Sequence, residues 1–153
     1  MLAVGDTAPS FVGTTADGGS FDLATFRGRP LVLYFYPKAN TTGCSIEARG
    51  FAASYPELQR AGIAVVGVSV DSVETQRSFA DRCGVPFPLV ADRDRSVAKM
   101  YGVLGLLGIA RRVTFFIGAD GRIEEVVEGM RPGPHVQRAQ ERARTGSPPS
   151  TPP

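Results

Sequence analysis

Leu31-Val32-Leu33-Tyr34-Phe35-Tyr36-Pro37-Lys38-Ala39-Asn40-Thr41-Thr42-Gly43-Cys44-Ser45-Ile46-Glu47 runs from an apolar segment through a proline and a short polar loop to a cysteine. Leu31–Tyr36 is an unbroken apolar and aromatic run, the pattern of a central strand buried on both faces. Pro37 has no N–H for a ladder and ends that strand. Beyond the loop, Ala48, Phe51, Tyr55 and Leu58 recur at helical spacing and Gly62 supplies a stop, so a helix is predicted from Cys44 to Ala61. Cys44 thereby falls in a first helical turn. Unpaired N–H groups and a partial positive charge there favour a thiolate over a thiol.

Outward from this stretch, glycines and prolines divide the chain into alternating elements. Ile63–Val70 reads as a second buried strand, and a helix follows from Ser72 to Arg82 with Asp71 or Ser72 as cap, ending at Cys83-Gly84 before Pro86. Pro88–Ala91 is a short strand and Asp94–Tyr101 a short helix closed by Gly102. Arg112–Ile117 and Arg122–Val127 flank Gly118-Ala119-Asp120-Gly121, a hairpin by composition. Phe11–Thr15 and Ser20–Leu23 flank Asp17-Gly18-Gly19, another hairpin, and Pro134–Arg144 is a last helix. Residues 146–153, rich in Ser and Pro, are expected to be a disordered tail after a domain spanning 1–145. This order predicts an α/β fold with a mixed central sheet, helices on both faces and an N-terminal β-hairpin.

Composition narrows the function classes. With 17 Lys and Arg against 15 Asp and Glu, the net charge is +2, and the segment from Gly133 onward accounts for the excess. No clustered basic face of the kind nucleic-acid binding needs is present. The Leu31–Tyr36 run is too short to span a bilayer, and no basic start followed by an apolar segment marks a signal peptide, so a cytoplasmic protein is expected. The two cysteines, Cys44 and Cys83, form no C-x-x-C, and the single histidine, His135, cannot complete a metal site with them. His135 lies beside prolines and is expected to be solvated. No cofactor is expected, and two thiols in a reducing compartment suggest redox chemistry more than a structural staple.

Pro37, Thr41 and Cys44 stand as P-x-x-x-T-x-x-C, which resembles the active-site signature of peroxiredoxins. The wider wording Y-P-K-x-x-T-x-G-C-[ST]-x-E is similar to the peroxiredoxin Q branch, also called bacterioferritin comigratory proteins. The resemblance covers roughly residues 3–130 and is strongest at 31–51. It implies a thioredoxin-like fold and a thiol peroxidase. In that chemistry Cys44 attacks a hydroperoxide, Thr41 contacts the peroxide over the helix N-terminus, and Pro37 shields the thiolate. The family's R-x-[ST]-F segment matches Arg112-Val113-Thr114-Phe115 and gives Arg112 the role of guanidinium donor to thiolate and peroxide. Glu47 supports the loop; its ordinary reading is a favourable place on the helix dipole. Thr41 read alone would be a helix cap worth about 1 kcal/mol.

A free thiol of pKa ~8.5 is only about 3% ionised at pH 7. Ionising it fully gains roughly 30-fold, part of which is lost as nucleophilicity falls. A fast peroxidase therefore also needs donors aimed at the charge that develops on the leaving oxygen. The sulfur is expected to be ionised and exposed, with hydroxyl and guanidinium donors converging above it.

The resemblance also implies a route back to thiol. The second cysteine that many relatives place five residues on is here Arg49, so Cys83, 83 − 44 = 39 positions on, takes the resolving role. Disulfide formation needs Cα atoms within about 7 Å, so both helix ends are expected to fray locally. Thioredoxin or a similar dithiol is the implied reductant, and the branch is often monomeric. Alternatives are a one-cysteine peroxiredoxin, a redox sensor using the same thiolate, and, weakly, a disulfide reductase lacking C-x-x-C. Thr42 replaces a common proline and Ser45 a frequent threonine. The apolar segment Gly102–Ala110 is either a glycine-broken core loop or a rim favouring alkyl or lipid hydroperoxides.

Overall fold

A computed structural model describes residues 1–145. The expected tail at 146–153 lies outside the described residues. The strands are β1 (Val12–Thr15), β2 (Ser20–Asp22), β3 (Leu31–Phe35), β4 (Ala64–Ser69), β5 (Leu89–Ala91), β6 (Val113–Ile117) and β7 (Ile123–Glu128). The helices are α1 (Thr42–Arg60), α2 (Val73–Cys83), α3 (Ser96–Tyr101) and α4 (Pro132–Thr145). They build one sheet in the order β2-β1-β5-β4-β3-β6-β7. β4 runs parallel to both β3 and β5, whereas β6, β7 and the β1–β2 hairpin join antiparallel. The sheet is mixed, as the order of elements predicts.

β3 is buried along its whole length because its alternate side chains feed two separate cores. Leu31, Leu33 and Phe35 join Val97, Ala98 and Tyr101 of α3 on one face. Val32, Tyr34 and Tyr36 join Ala48, Phe51 and Leu58 of α1, Phe79 of α2 and Ala139 of α4 on the other. Tyr34 stacks on Phe51 at 4.4 Å between ring centroids, and Tyr36 lies 5.6 Å from Phe79. Such aromatic pairs contribute about 0.5–1.5 kcal/mol each beyond their buried area. Tyr34 fits because its register partner on β4 is Gly67: a Cβ there would meet the ring at 2.8 Å.

Local chemistry sets the ends of the elements. Ser72, one of the two caps considered, accepts from the Thr75 N–H at 3.1 Å. Gly84, at φ +63°, closes α2 in the left-handed conformation a C-terminal cap requires. β2 stops one residue short of the predicted Leu23, because Asp22 accepts from Ala24 N–H at 3.0 Å and starts a 3-10 turn over Leu23–Phe26. α4 begins at Pro132, two residues before its predicted start; a proline lacks a donor that a first turn would leave unpaired anyway. Helical register carries His135 into the interior. The expectation of a solvated His135 is therefore wrong: the residue is 0% exposed and lies on one buried stripe with Ala139 and Arg142.

Candidate active site

The loop between β3 and α1 is held by residues of α2 and the end of β4. Tyr36 at the end of β3 donates its hydroxyl to Gln76 Oε1, and Gln76 in turn donates to Ser69 Oγ at 2.9 Å and to the Val90 carbonyl at 3.0 Å. Asp71, just past β4, accepts from the Ala39 N–H at 2.8 Å and from Ser69 Oγ at 2.6 Å. Asn40 then takes φ +65°, a left-handed turn that asparagine tolerates, and delivers Thr41 as the residue before α1. Gln76 and Asp71 were not among the candidates from sequence, since their partners lie 40 and 32 positions away.

Cys44 occupies the third position of α1, at the N-terminal end where the helix field favours an anion. Its sulfur receives a hydrogen bond from Arg112 Nη2 at 3.4 Å. The same guanidinium donates from Nη1 to Glu47 Oε1 at 2.5 Å and from Nε to the Met130 carbonyl at 2.8 Å. Three acceptors from α1 and the β7–α4 turn thus fix one planar cation beside the sulfur, a task suited to the fork of arginine and not to lysine. Arg112 lies immediately before β6 instead of opening it. Arg111 next to it is an exposed charge 3.8 Å from Glu128.

Two expectations need correction. Cys44 is only 1% exposed and belongs to the apolar core beneath α1, so the sulfur is not open to solvent. The reason is helical register: Cys44 continues backwards the stripe Ala48, Phe51 and Leu58, while Thr41 and Thr42 face outwards. Thr41 makes no side-chain cap; its hydroxyl donates to the Lys38 carbonyl at 2.7 Å. With that proton committed, its oxygen can accept from a peroxide O–H but does not donate to it. Pro37, half-buried, sits at the strand end where the motif puts it.

Glu47 does far more than complement a dipole. It is 0% exposed, and its Oε2 has no hydrogen-bond partner. Burial raises its pKa to about 7 against the opposing pull of the Arg112 charge and hydrogen bond. For Arg112, burial works against the charge, but the fields of Glu47 and Cys44 outweigh it and hold the pKa above the ordinary arginine value. His135 approaches from α4, with Nδ1 3.9 Å from Glu47 Oε2. Its Nε2 faces the Gly129 carbonyl at 2.8 Å and must carry the ring hydrogen, which leaves Nδ1 to accept from the Thr114 hydroxyl at 2.7 Å. Burial, seconded by the Arg112 charge, lowers the His135 pKa despite the Gly129 contact, which favours the uncharged ring.

Cys83 ends α2 as a buried free thiol, in the same apolar cluster as Cys44. Arg49, five residues after Cys44, donates to the Arg82 carbonyl at 3.3 Å, and Arg82 donates to Asn40 Oδ1 at 3.2 Å. These bonds tie the end of α2 to α1 and its entry loop. A cavity of about 350 Å³ opens beside Arg112, lined by Arg111, Val113, Glu128, Gly129 and the 65% exposed Met130. Leu106 and Leu107, in the apolar Gly102–Ala110 segment, are 105% and 86% exposed. No helix among the described residues is long and apolar enough to cross a membrane.

Comparison with known proteins agrees with this geometry. The family model described as AhpC/TSA matches residues 4–126. Peroxiredoxin Bcp of Escherichia coli K12 is 37% identical over 141 residues, covering 88% of this chain and 90% of the relative. The crystal structure of peroxidoxin BcpB from Mycobacterium tuberculosis superposes with a TM-score of 0.87 at 32% identity, covering 95% of this chain and 98% of that one. The bacterioferritin comigratory protein of Xanthomonas campestris, described for its alkyl peroxide reduction activity, gives 0.82 at 28%, covering 88% and 90%. The fold is the expected thioredoxin-like one of these peroxiredoxins. A guanidinium-bound cysteine at a helix N-terminus, on this fold and with these relatives, gives one conclusion: the chain belongs to the AhpC/TSA family, among the Bcp and PrxQ peroxiredoxins.

Proposed function

We propose that the protein reduces hydrogen peroxide and organic hydroperoxides with Cys44 as the peroxidatic thiolate. The observation that carries this reading is the Arg112 Nη2–Cys44 Sγ hydrogen bond of 3.4 Å at the start of α1. The thiolate attacks one peroxide oxygen, the O–O bond breaks, and the leaving oxygen departs as an alcohol or water after taking a proton. Cys44 becomes a sulfenic acid. Arg112 stabilises the charge on sulfur and on the oxygens, and Thr41 accepts from the peroxide O–H and orients it. Pro37 and the apolar surroundings of Cys44 limit water near the sulfur.

Cys83 then attacks the sulfenic sulfur, water leaves, and a Cys44–Cys83 disulfide forms, which a dithiol such as thioredoxin reduces by exchange. Both thiols sit at helix ends, so the first turn of α1 and the last turn of α2 open for this step. The exposed Leu106, Leu107 and Met130 and the cavity beside Arg112 support use of alkyl hydroperoxides, lipid ones among them. The working form is a cytoplasmic monomer that needs no cofactor. Peroxide consumption coupled to thioredoxin, measured beside Cys44→Ser and Cys83→Ser, tests the scheme. Turnover lost in both variants, with a Cys44–Cys83 linked peptide in the mass spectrum, is the expected result. Turnover surviving in Cys83→Ser with an external thiol would favour the one-cysteine reading, which the bonds holding the end of α2 in place support. A clear preference for hydrogen peroxide over alkyl hydroperoxides in kcat/KM would end the apolar-rim reading.

A further inference from the structure

One cation serves two acidic groups in this site, and the charges do not balance if both are ionised. Arg112 contacts Cys44 Sγ and Glu47 Oε1, and all three residues are buried. A Cys44 thiolate with a Glu47 carboxylate leaves a net charge of −1 in a low-dielectric interior, which is costly. Among the described residues, Arg112 is the cation whose charge acts on Glu47. Cys44 shares its helix, Tyr34 of β3 feels Glu47 only as a repelling charge, and α4 presents the neutral His135. The orphan oxygen, Glu47 Oε2, lies 3.9 Å from His135 Nδ1, the nitrogen that Thr114 also meets. A proton placed there removes the imbalance while leaving the sulfur ionised.

We propose that Glu47 and His135 hold one shared proton behind Arg112, and that this proton commits the guanidinium to the Cys44 thiolate. His135 is then a positioning residue: it touches neither peroxide nor sulfur, and acts through Glu47 and Arg112. The proton sits on Glu47 Oε2 beside His135 Nδ1, or on Nδ1, where it faces Thr114 Oγ1 with the carboxylate 3.9 Å away; the pair carries the same net charge either way. Thr114, already bonded to Nδ1 at 2.7 Å, has a hydroxyl that can turn to accept when Nδ1 becomes a donor. Loss of the proton to solvent at higher pH leaves Glu47 ionised and competing with the thiolate for Arg112. The anomalous ionisation of Glu47 agrees with this arrangement. The two groups titrate as a unit, with macroscopic values that belong to the pair.

The inference rests on the peroxidatic role of Cys44 for its consequence, but not for its existence. Carboxyl-carbon and histidine-ring NMR on the full, reduced chain from about pH 5 to about pH 9 tests the pair directly. The Glu47 signal is assigned by its loss in Glu47→Gln. The expected result is a Glu47 carboxyl midpoint near pH 7 with a His135 ring shift at the same midpoint. A Glu47 that titrates in the ordinary carboxylate range, or without any response from His135, overturns the proposal.

The second measurement is the pH profile of the peroxide rate constant, each variant normalised to its own maximum. The wild type is expected to decline about tenfold above the midpoint, as the Glu47 carboxylate draws the Arg112 guanidinium away from the sulfur. Glu47→Gln lacks that descending limb, and His135→Asn moves it to lower pH. Superimposable profiles would sink the proposal even if activity is high. A coupled NMR titration in a chain that consumes no peroxide would instead leave the pair standing and remove the peroxidase reading.

Discussion

Replacing Glu47 by Gln isolates the thermodynamic consequence of burying a carboxyl group. The native pKa of about 7 lies above the ordinary 4.5, so between these values the folded state binds a proton that the unfolded state has released. Stability from this group is fully present below pH 4.5 and is lost as pH rises through about 7. The interval of about 2.5 pH units, at about 1.4 kcal/mol each, sets a ceiling of roughly 3 kcal/mol. Glutamine keeps an acceptor for Arg112 and does not titrate. The stability difference between Glu47→Gln and wild type should therefore grow with pH by up to roughly 3 kcal/mol, then level off. Urea unfolding at a series of pH values, with thiols kept reduced, measures the difference. Two stability curves that run parallel from pH 5 to pH 8 would refute the reasoning.

Arg112→Met should lower kcat/KM by about 10²–10³, the usual loss of a preorganised donor at a charge-developing centre. Arg112→Lys should recover little of it, because one ammonium cannot meet Glu47, Met130 and the sulfur together. The chain has no tryptophan, so peroxide consumption is the assay. Gly43→Ala places a methyl 3.0 Å from Arg112 Nη2, the nitrogen that donates to sulfur. A roughly tenfold or greater rate loss with little change in Tm is expected, and an unaltered rate would show the guanidinium free to retreat. Arg49→Ala and Arg82→Ala each remove one bond between the end of α2 and the α1 region. Faster disulfide formation after a single peroxide pulse is expected, followed by quenched mass spectrometry, and slower formation would contradict a bracing role.

The parts of the fold written in local chemistry were legible. The Leu31–Tyr36 run, the Ser72 cap, the Gly84 stop and the Gly-marked hairpins each specify an element through nearby residues. The Cys44–Arg112 pairing, 68 positions apart, came through a family motif and not through spacing. Glu47 is visible as an acid near the start of a helix, but α1 begins at Thr42, so the residue falls in the second turn, where it meets Arg112 and lies near His135 of α4. Signals for two errors were nevertheless present. Cys44 keeps step with Ala48, Phe51 and Leu58, and His135 with Ala139 and Arg142, so helical register alone puts both inside. Asp71 and Gln76 gave no comparable signal, since a polar residue at a strand or helix end is ordinary until its distant partner is known.

The turn between β7 and α4 offers a lesson about what evolution is free to alter. Two successive main-chain oxygens, those of Gly129 and Met130, steady the imidazole and the guanidinium respectively. Gly129 needs its φ of +123°, but the exposed side chains of Met130 and Arg131 contribute nothing to that grip. Mutational drift at 130 and 131 should therefore pass unnoticed by the sulfur. A single-residue insertion or deletion would swing both oxygens aside at once, so the selective constraint on this hinge falls on its length and not on its spelling.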